Sequence, residues 1–160
     1  MEEDFKTIYE THYAQVMRLC LGYVSGNKDR AKDLTQEVFI KVWSNLKFFR
    51  KESSMSTWIY RIAVNTCLMN LRKSKPKSFL EGDIKDTTSS EESLNERELQ
   101  FLKMYRCIDT LPPTNKAIIL MELEGLPQKE IASIIGLKHE AIRTRIHRIK
   151  QQLSNCVKDE

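Results

Sequence analysis

Arg143, Arg145, Arg148 and Lys150 stand among isoleucines in the stretch QKEIASIIGLKHEAIRTRIHRIK, residues 128–150. Ile142, Ile146, Ile149 and Leu153 recur at spacings of four, three and four, which places them on one side of a helix. Thr144, Arg148 and Gln151 then lie opposite, flanked by Arg143, Arg145 and His147. A guanidinium offers planar donors that match a guanine edge or a phosphate, so this outer face suits a DNA groove. The competing reading is an amphipathic helix with a solvated basic face.

A second group of residues points to stacking chemistry. Phe39 and Trp43 are one helical turn apart, Phe48 and Phe49 follow, and Trp58 and Tyr60 come just beyond a polar loop. Arg61, Asn65 and Arg72 share a helical face after that loop. Aromatics, an amide and basic groups around a polar loop are what single-stranded nucleic acid requires: stacking surfaces, base-edge partners and phosphate partners. The same aromatics would also fill a small core. Asp33 and Glu37, one turn apart with Gln36 beside them, suit a polar protein contact or a solvated face.

Catalytic chemistry has little support. There is no glycine-rich phosphate loop, and no Ser/His/Asp or Cys/His set stands out. Cys20, Cys67, Cys107 and Cys156 are far apart and form no CxxC pair, so they read as buried or surface thiols in a reducing compartment. With His12, His139 and His147 they offer no ligand spacing of the zinc type. No metal or cofactor is expected.

The elements that must position these groups are all helical. Helices are expected over 5–24, 28–48, about 57–72, and 94–110, where "LPP" ends the run because proline removes a donor and restrains its predecessor. Ala31, Leu34, Val38, Val42 and Leu46 mark the inner side of the second helix, and Ile59, Ile62, Ala63 and Met69 that of the third. "KESSMST" breaks the pattern and supplies N-cap residues. "TNKAIILMELEG" makes a short apolar helix, with Thr114 as its cap and Gly125 as its end. In the stretch 128–150, Ala132 is the small residue where two helices cross, Gly136 lies in the turn, and Ile131, Ile135 and Leu137 point inward, the pattern of a helix-turn-helix.

Charge divides the 160 residues in three. Residues 1–80 carry a net +6, residues 81–98 a net −5, and residues 99–160 a net +3. The middle piece, EGDIKDTTSSEESLNERE, has the polar composition of a linker. The fold class is therefore all-α: two small helical domains, 1–75 and 96–160, joined by a flexible acidic linker over 76–95, the second ending in the helix-turn-helix. With 41% hydrophobic and 30% charged residues the chain can build packed cores. No apolar run approaches the roughly 18 residues of a membrane span, and "MEEDFK" lacks the features of a signal peptide. A cytoplasmic protein without membrane insertion is expected.

Three motifs in this order resemble a bacterial sigma factor of the small, two-domain extracytoplasmic-function group. "DLTQEVFIKVW" resembles that family's region 2.2, "FFRKESSMSTWIYRIAVNT" its regions 2.3 and 2.4, and "LPPTNKAIILMELEGLPQKEIASIIGLKHEAIRTRIHRIK" its region 4. The resemblance covers nearly the whole chain except the linker. It implies core RNA polymerase and promoter DNA as partners and, as for many relatives, an anti-sigma factor. It implies docking on a coiled coil of the large polymerase subunit through Asp33, Gln36, Glu37, Phe39 and Trp43. It implies melting and base capture at the minus-ten element through Phe49, the loop 51–56 with Lys51, Ser54 and Met55, and Arg61 and Asn65. Arg143, Thr144, His147 and Arg148 would read the minus-thirty-five element, and the acidic linker would follow a path otherwise taken by RNA. Met55 stands where an aromatic residue is common in the family. Lys138, His139 and Glu140 provide no Ser, Thr, Asp or Asn cap for the recognition helix. The rival from another class is a stand-alone dimeric helix-turn-helix regulator, which would require symmetric half-sites.

Overall fold

The computed structural model describes residues 2–74 and 95–159, with side chains over 4–70 and 95–159. The expected linker, apart from Asn95, and the side chain of Arg72 lie outside the described residues. All regular elements among the described residues are helical. The first region holds α1 (Glu2–Tyr23), α2 (Lys28–Asn45), a 3-10 turn (Leu46–Phe48) and α3 (Met55–Ser74). The second holds α4 (Glu96–Asp109), α5 (Pro113–Leu123), α6 (Gln128–Ile135) and α7 (His139–Asp159).

In the first region the three helices pack mutually. Asn27 caps α2 by accepting from the Arg30 N–H at 3.1 Å. The apolar stripe buries Ala31, Leu34, Val38, Phe39 and Val42, while Leu46 is only half-buried in the 3-10 turn. Ser54 caps α3: its hydroxyl accepts from the Thr57 N–H at 3.1 Å, so the helix starts two residues before the sequence reading. Ile59 and Ala63 are buried, but Met69 is half exposed and does not belong to the inner side.

In the second region α7 is the common support, packed by α4, α5 and α6. Asn95 caps α4 through the Glu98 N–H at 2.9 Å. α5 is not capped by Thr114. It opens at Pro113, whose fixed φ and missing N–H fit a first helical position. Gly125 follows its end at φ 86°, and Gly136 ends α6 at φ 87°, the left-handed conformation that glycine adopts without strain. Ile131, Ile142, Ile146 and Ile149 are buried as the spacing predicts. The cysteines depart from it. Cys107 of α4 and Cys156 of α7 form a disulfide across 49 residues of sequence, with Cα atoms 5.9 Å apart. Their distance in sequence gave no sign of this, because only the packing of α4 on α7 brings them together. Cys20 and Cys67 remain thiols, both buried between α1 and α3. A hydrogen bond with Cys20, together with burial, pushes the Cys67 pKa well above its ordinary value.

The two regions pack on one another. Their buried residues form one continuous cluster, and α1 and α3 pack against α5 and α6.

Candidate nucleic-acid interface

The recognition face is assembled first by what it excludes. Burial of Ile142, Ile146, Ile149 and Leu153 fixes the rotation of α7 and leaves Arg143, Thr144, His147 and Arg148 exposed along the opposite side. α7 begins at His139 without a side-chain cap on Lys138, whose carbonyl accepts from the Ile142 N–H at 3.0 Å. Glu140 in the first turn complements the positive end of the helix. Arg145 and Lys150 are also exposed but have partners on α5: Arg145 donates to Asn115 Oδ1 at 3.3 Å, and Lys150 pairs with Glu122 at 2.9 Å. They brace α7 on α5 and so sort themselves from the four outward groups.

The second cluster lies around the 3-10 turn and the start of α3. Phe49 is half-buried, with its ring centroid 5.0 Å from that of Trp58. Lys51 holds a positive φ of 59° in the loop and is exposed. Ser54 is committed to capping α3, and Met55 is half-buried at the first position of that helix. Asn65 is exposed almost three turns further on. Arg61 is partly exposed and donates to Ser133 of α6 at 3.0 Å. The structure therefore brings Phe49, Met55 and Trp58 to one end of α3, with Arg61 and Asn65 along it.

The third cluster is on α2. Asp33, Gln36 and Glu37 are exposed, and Glu37 lies 3.8 Å from Lys41. Trp43 is 46% exposed, but Phe39 is only 3% exposed and forms the floor of the surface rather than its face. Phe5 and Tyr9 of α1 line the same groove with Gln36, Ile40 and Trp43, and Ile40 is 65% exposed. The sequence reading missed Phe5, Tyr9 and Ile40 as parts of this surface. The i, i+4 repeat of Phe5, Tyr9 and Tyr13 was the available signal.

Comparison with known proteins gives the chain a family. The family model Sigma-70 region 2 matches residues 8–76, and that of Sigma-70, region 4 matches residues 101–153. The chain is 34% identical to the ECF RNA polymerase sigma-E factor of Escherichia coli (strain K12), over 98% of this chain and 87% of that one. It is 32% identical to its counterpart in Haemophilus influenzae, over 96% and 87%. It is 27% identical to the ECF RNA polymerase sigma factor SigW of Bacillus subtilis, over 99% and 91%. The fold is similar to that of the sigma factor RpoE solved with the anti-sigma factor NepR from Bartonella quintana, with a TM-score of 0.74, 19% identity and 98% coverage of both chains. It is also similar to CnrH solved with the cytosolic domain of CnrY, with a TM-score of 0.76, 19% identity and coverage of 100% and 91%. The chain belongs to the extracytoplasmic-function group of RNA polymerase sigma factors.

Proposed function

We propose that this sigma factor directs transcription initiation by dividing promoter reading between two faces. The outward set Arg143, Thr144, His147 and Arg148 reads the minus-thirty-five element. The α3 end, with Phe49, Lys51, Ser54, Met55, Arg61 and Asn65, holds the melted minus-ten strand. Asp33, Gln36, Glu37 and Trp43, over the buried Phe39, dock the chain on core RNA polymerase. The domain division into 1–75, 76–95 and 96–160 follows the same assignment. The carrying observation is the face of α7, where four DNA-competent side chains stand exposed opposite a buried isoleucine stripe.

No bond is made or broken by this chain in the proposal; it stabilises melted promoter over duplex, and polymerase performs the chemistry. The relatives solved with anti-sigma factors support an anti-sigma partner here. No helix among the described residues is long and apolar enough to cross a membrane, and work on polymerase supports the reading of a cytoplasmic protein. Run-off transcription with core polymerase, with and without the protein, tests the function. Equal transcript patterns would overturn it.

Three variants test the assignments. Asp33→Ala with Glu37→Ala is expected to weaken core-polymerase binding by about 1–2 kcal/mol, roughly five- to thirtyfold, as for truncated interface residues. Circular dichroism should be unchanged because both side chains are exposed. Unaltered pull-down affinity removes α2 from the docking surface. For α7, Arg148→Ala is expected to cost roughly 1–3 kcal/mol and relax preference at one base pair if the side chain forks onto guanine. If it touches phosphate, all sequences weaken alike and the salt slope falls. Arg143→Ala gives the same choice, and selection among minus-thirty-five variants separates the outcomes for each.

A further inference from the structure

Two consecutive phenylalanines after α2 meet opposite surroundings. The chain leaves α2 through the 3-10 turn Leu46–Phe48, which closes where the Phe49 N–H donates to the Leu46 carbonyl at 3.1 Å. Phe49 then extends, at φ −68° and ψ 118°, and its ring packs against Trp58 at 5.0 Å. Phe48 goes the other way and is 64% exposed. The Lys47 ammonium lies 5.2 Å from its ring centroid, within reach of the negative face of an aromatic ring. Most of the ring is left in water, although burial of such a ring is favourable.

A single exposed phenylalanine is ordinary on a protein surface. Its neighbours set this one apart. Lys47, Arg50 and Lys51 are all exposed within three residues of it, against one acid, Glu52. Lys51 holds φ 59°, a left-handed conformation that is strained for lysine and relaxed for glycine. Glycine would suit the fold better there, but it would bring no charge.

Two chemistries compete for such a ring. A protein partner would take it into an apolar patch. The apolar groove over α1 and α2 is lined by Phe5, Tyr9, Gln36, Phe39, Ile40 and Trp43, and Phe48 is not part of it. A nucleobase would stack on the ring, and the strand carrying that base brings phosphates for the cations. The surroundings of Phe48 are cationic, and its neighbour Phe49 belongs to the end of α3 assigned to base capture. Both favour the strand.

We propose, resting on the minus-ten face assigned above, that Phe48 is a second stacking platform for melted DNA. An unpaired base next to the captured one lies on its exposed ring, and Arg50 and Lys51 meet the adjoining phosphates. Every base has a π-face, so this contact holds the strand without reading its sequence. Phe48 sets how firmly the strand stays open, and Asn65 sets which base is accepted.

The test uses core polymerase assembled with the full chain, and a single-stranded oligonucleotide bearing the minus-ten sequence of a promoter found by run-off transcription. Phe48→Ala should weaken oligonucleotide binding roughly five- to thirtyfold, the effect of one lost stack on an exposed ring. The loss should be equal for the promoter sequence and for variants at the captured base, unlike that of Asn65→Ala. Phe48→Tyr should bind like the wild type. Phe48→Leu, apolar but without a π-face, should be as weak as Phe48→Ala. A fluorescent purine analogue placed beside the captured base should be quenched by stacking in the wild-type complex and brighten with Phe48→Ala. Lys51→Gly should keep or raise the urea midpoint, yet lower the salt slope of oligonucleotide binding by about 0.7, one phosphate contact on a single strand.

Core-polymerase affinity should be unchanged by each Phe48 variant. A loss there, with oligonucleotide affinity of the assembled complex intact, makes Phe48 a polymerase contact and overturns the platform. Phe48→Leu binding like the wild type overturns it as well, and an unaltered salt slope removes Lys51 from the strand. A wild-type complex with no preference for the minus-ten sequence overturns the assigned face and the platform with it. A wild-type complex with that preference and an indifferent Phe48→Ala overturns the platform alone.

Discussion

Cys156→Ser is expected to lower the unfolding free energy by about 2–4 kcal/mol relative to the oxidised chain. The bridge to Cys107 spans 49 residues, and chain-entropy arguments give a loop of that size about 4 kcal/mol, from which strain and residual structure subtract. Cys156 is half-buried, so serine there adds little further cost. Cys107 and Ile108 are the only residues of α4 in the fully buried class, and the loss should therefore appear first as faster amide exchange along α4. Urea titration checks the size. Reductant should destabilise the wild type and steepen its denaturant dependence, because the uncrosslinked unfolded chain exposes more surface. It should leave the variant unchanged. A wild type indifferent to reductant would mean that the two sulfurs are not bridged in solution.

Asn65→Ala is expected to impair transcription from duplex promoters by on the order of ten- to a hundredfold, while templates already mismatched at the minus-ten element are nearly spared. The side chain is exposed on α3, one turn beyond Arg61, and its amide offers both donors and an acceptor to a base edge. That edge is fully accessible only when the base leaves the stack, at a cost of a few kcal/mol that the pocket must supply. Phe49, half-buried against Trp58, and Met55 are the candidate walls. The polymerase complex carrying the variant should also lose base preference for a single-stranded minus-ten oligonucleotide. Equal defects on both templates, or an unchanged base preference, exclude Asn65 as the base reader.

What was legible in the sequence was whatever a single helix dictates. The stripe Ala31, Leu34, Val38 and Val42 is buried, so the exposure of Asp33, Gln36 and Glu37 follows from periodicity. The same reasoning set the outward face of α7 and the glycine turn at Gly136. Local competition blurred the ends. Thr114 is a good cap, but Pro113 already fits the first position of α5, and Ser54 starts α3 earlier than the apolar pattern does. Periodicity also put Met69 inside, but it lies on the side of α3 away from the buried Ile59, Ala63 and Cys67 and is half exposed. Contacts between distant segments left no local trace. Cys107 with Cys156, Gly22 with Leu120 and Arg61 with Ser133 are adjacent only because whole helices meet. Arg145 and Lys150 show the limit within one helix. Their residue type suits DNA, but Asn115 and Glu122 on α5 take them up.

The bridge between Cys107 and Cys156 also sets how the molecule bears load. It closes a covalent ring around α5, α6 and most of α7. Tension applied to the ends of the oxidised chain passes from α4 through the two sulfurs to the last residues of α7. The 49-residue separation would otherwise contribute about 170 Å of extended contour at 3.3–3.6 Å per residue. That length stays shielded until a thiol opens the ring. Pulling forces, such as those of an unfoldase threading the chain, then stretch the α1–α3 region while the loop carrying the helix-turn-helix is never drawn out end to end. Reduction turns the same chain into a continuously extensible one.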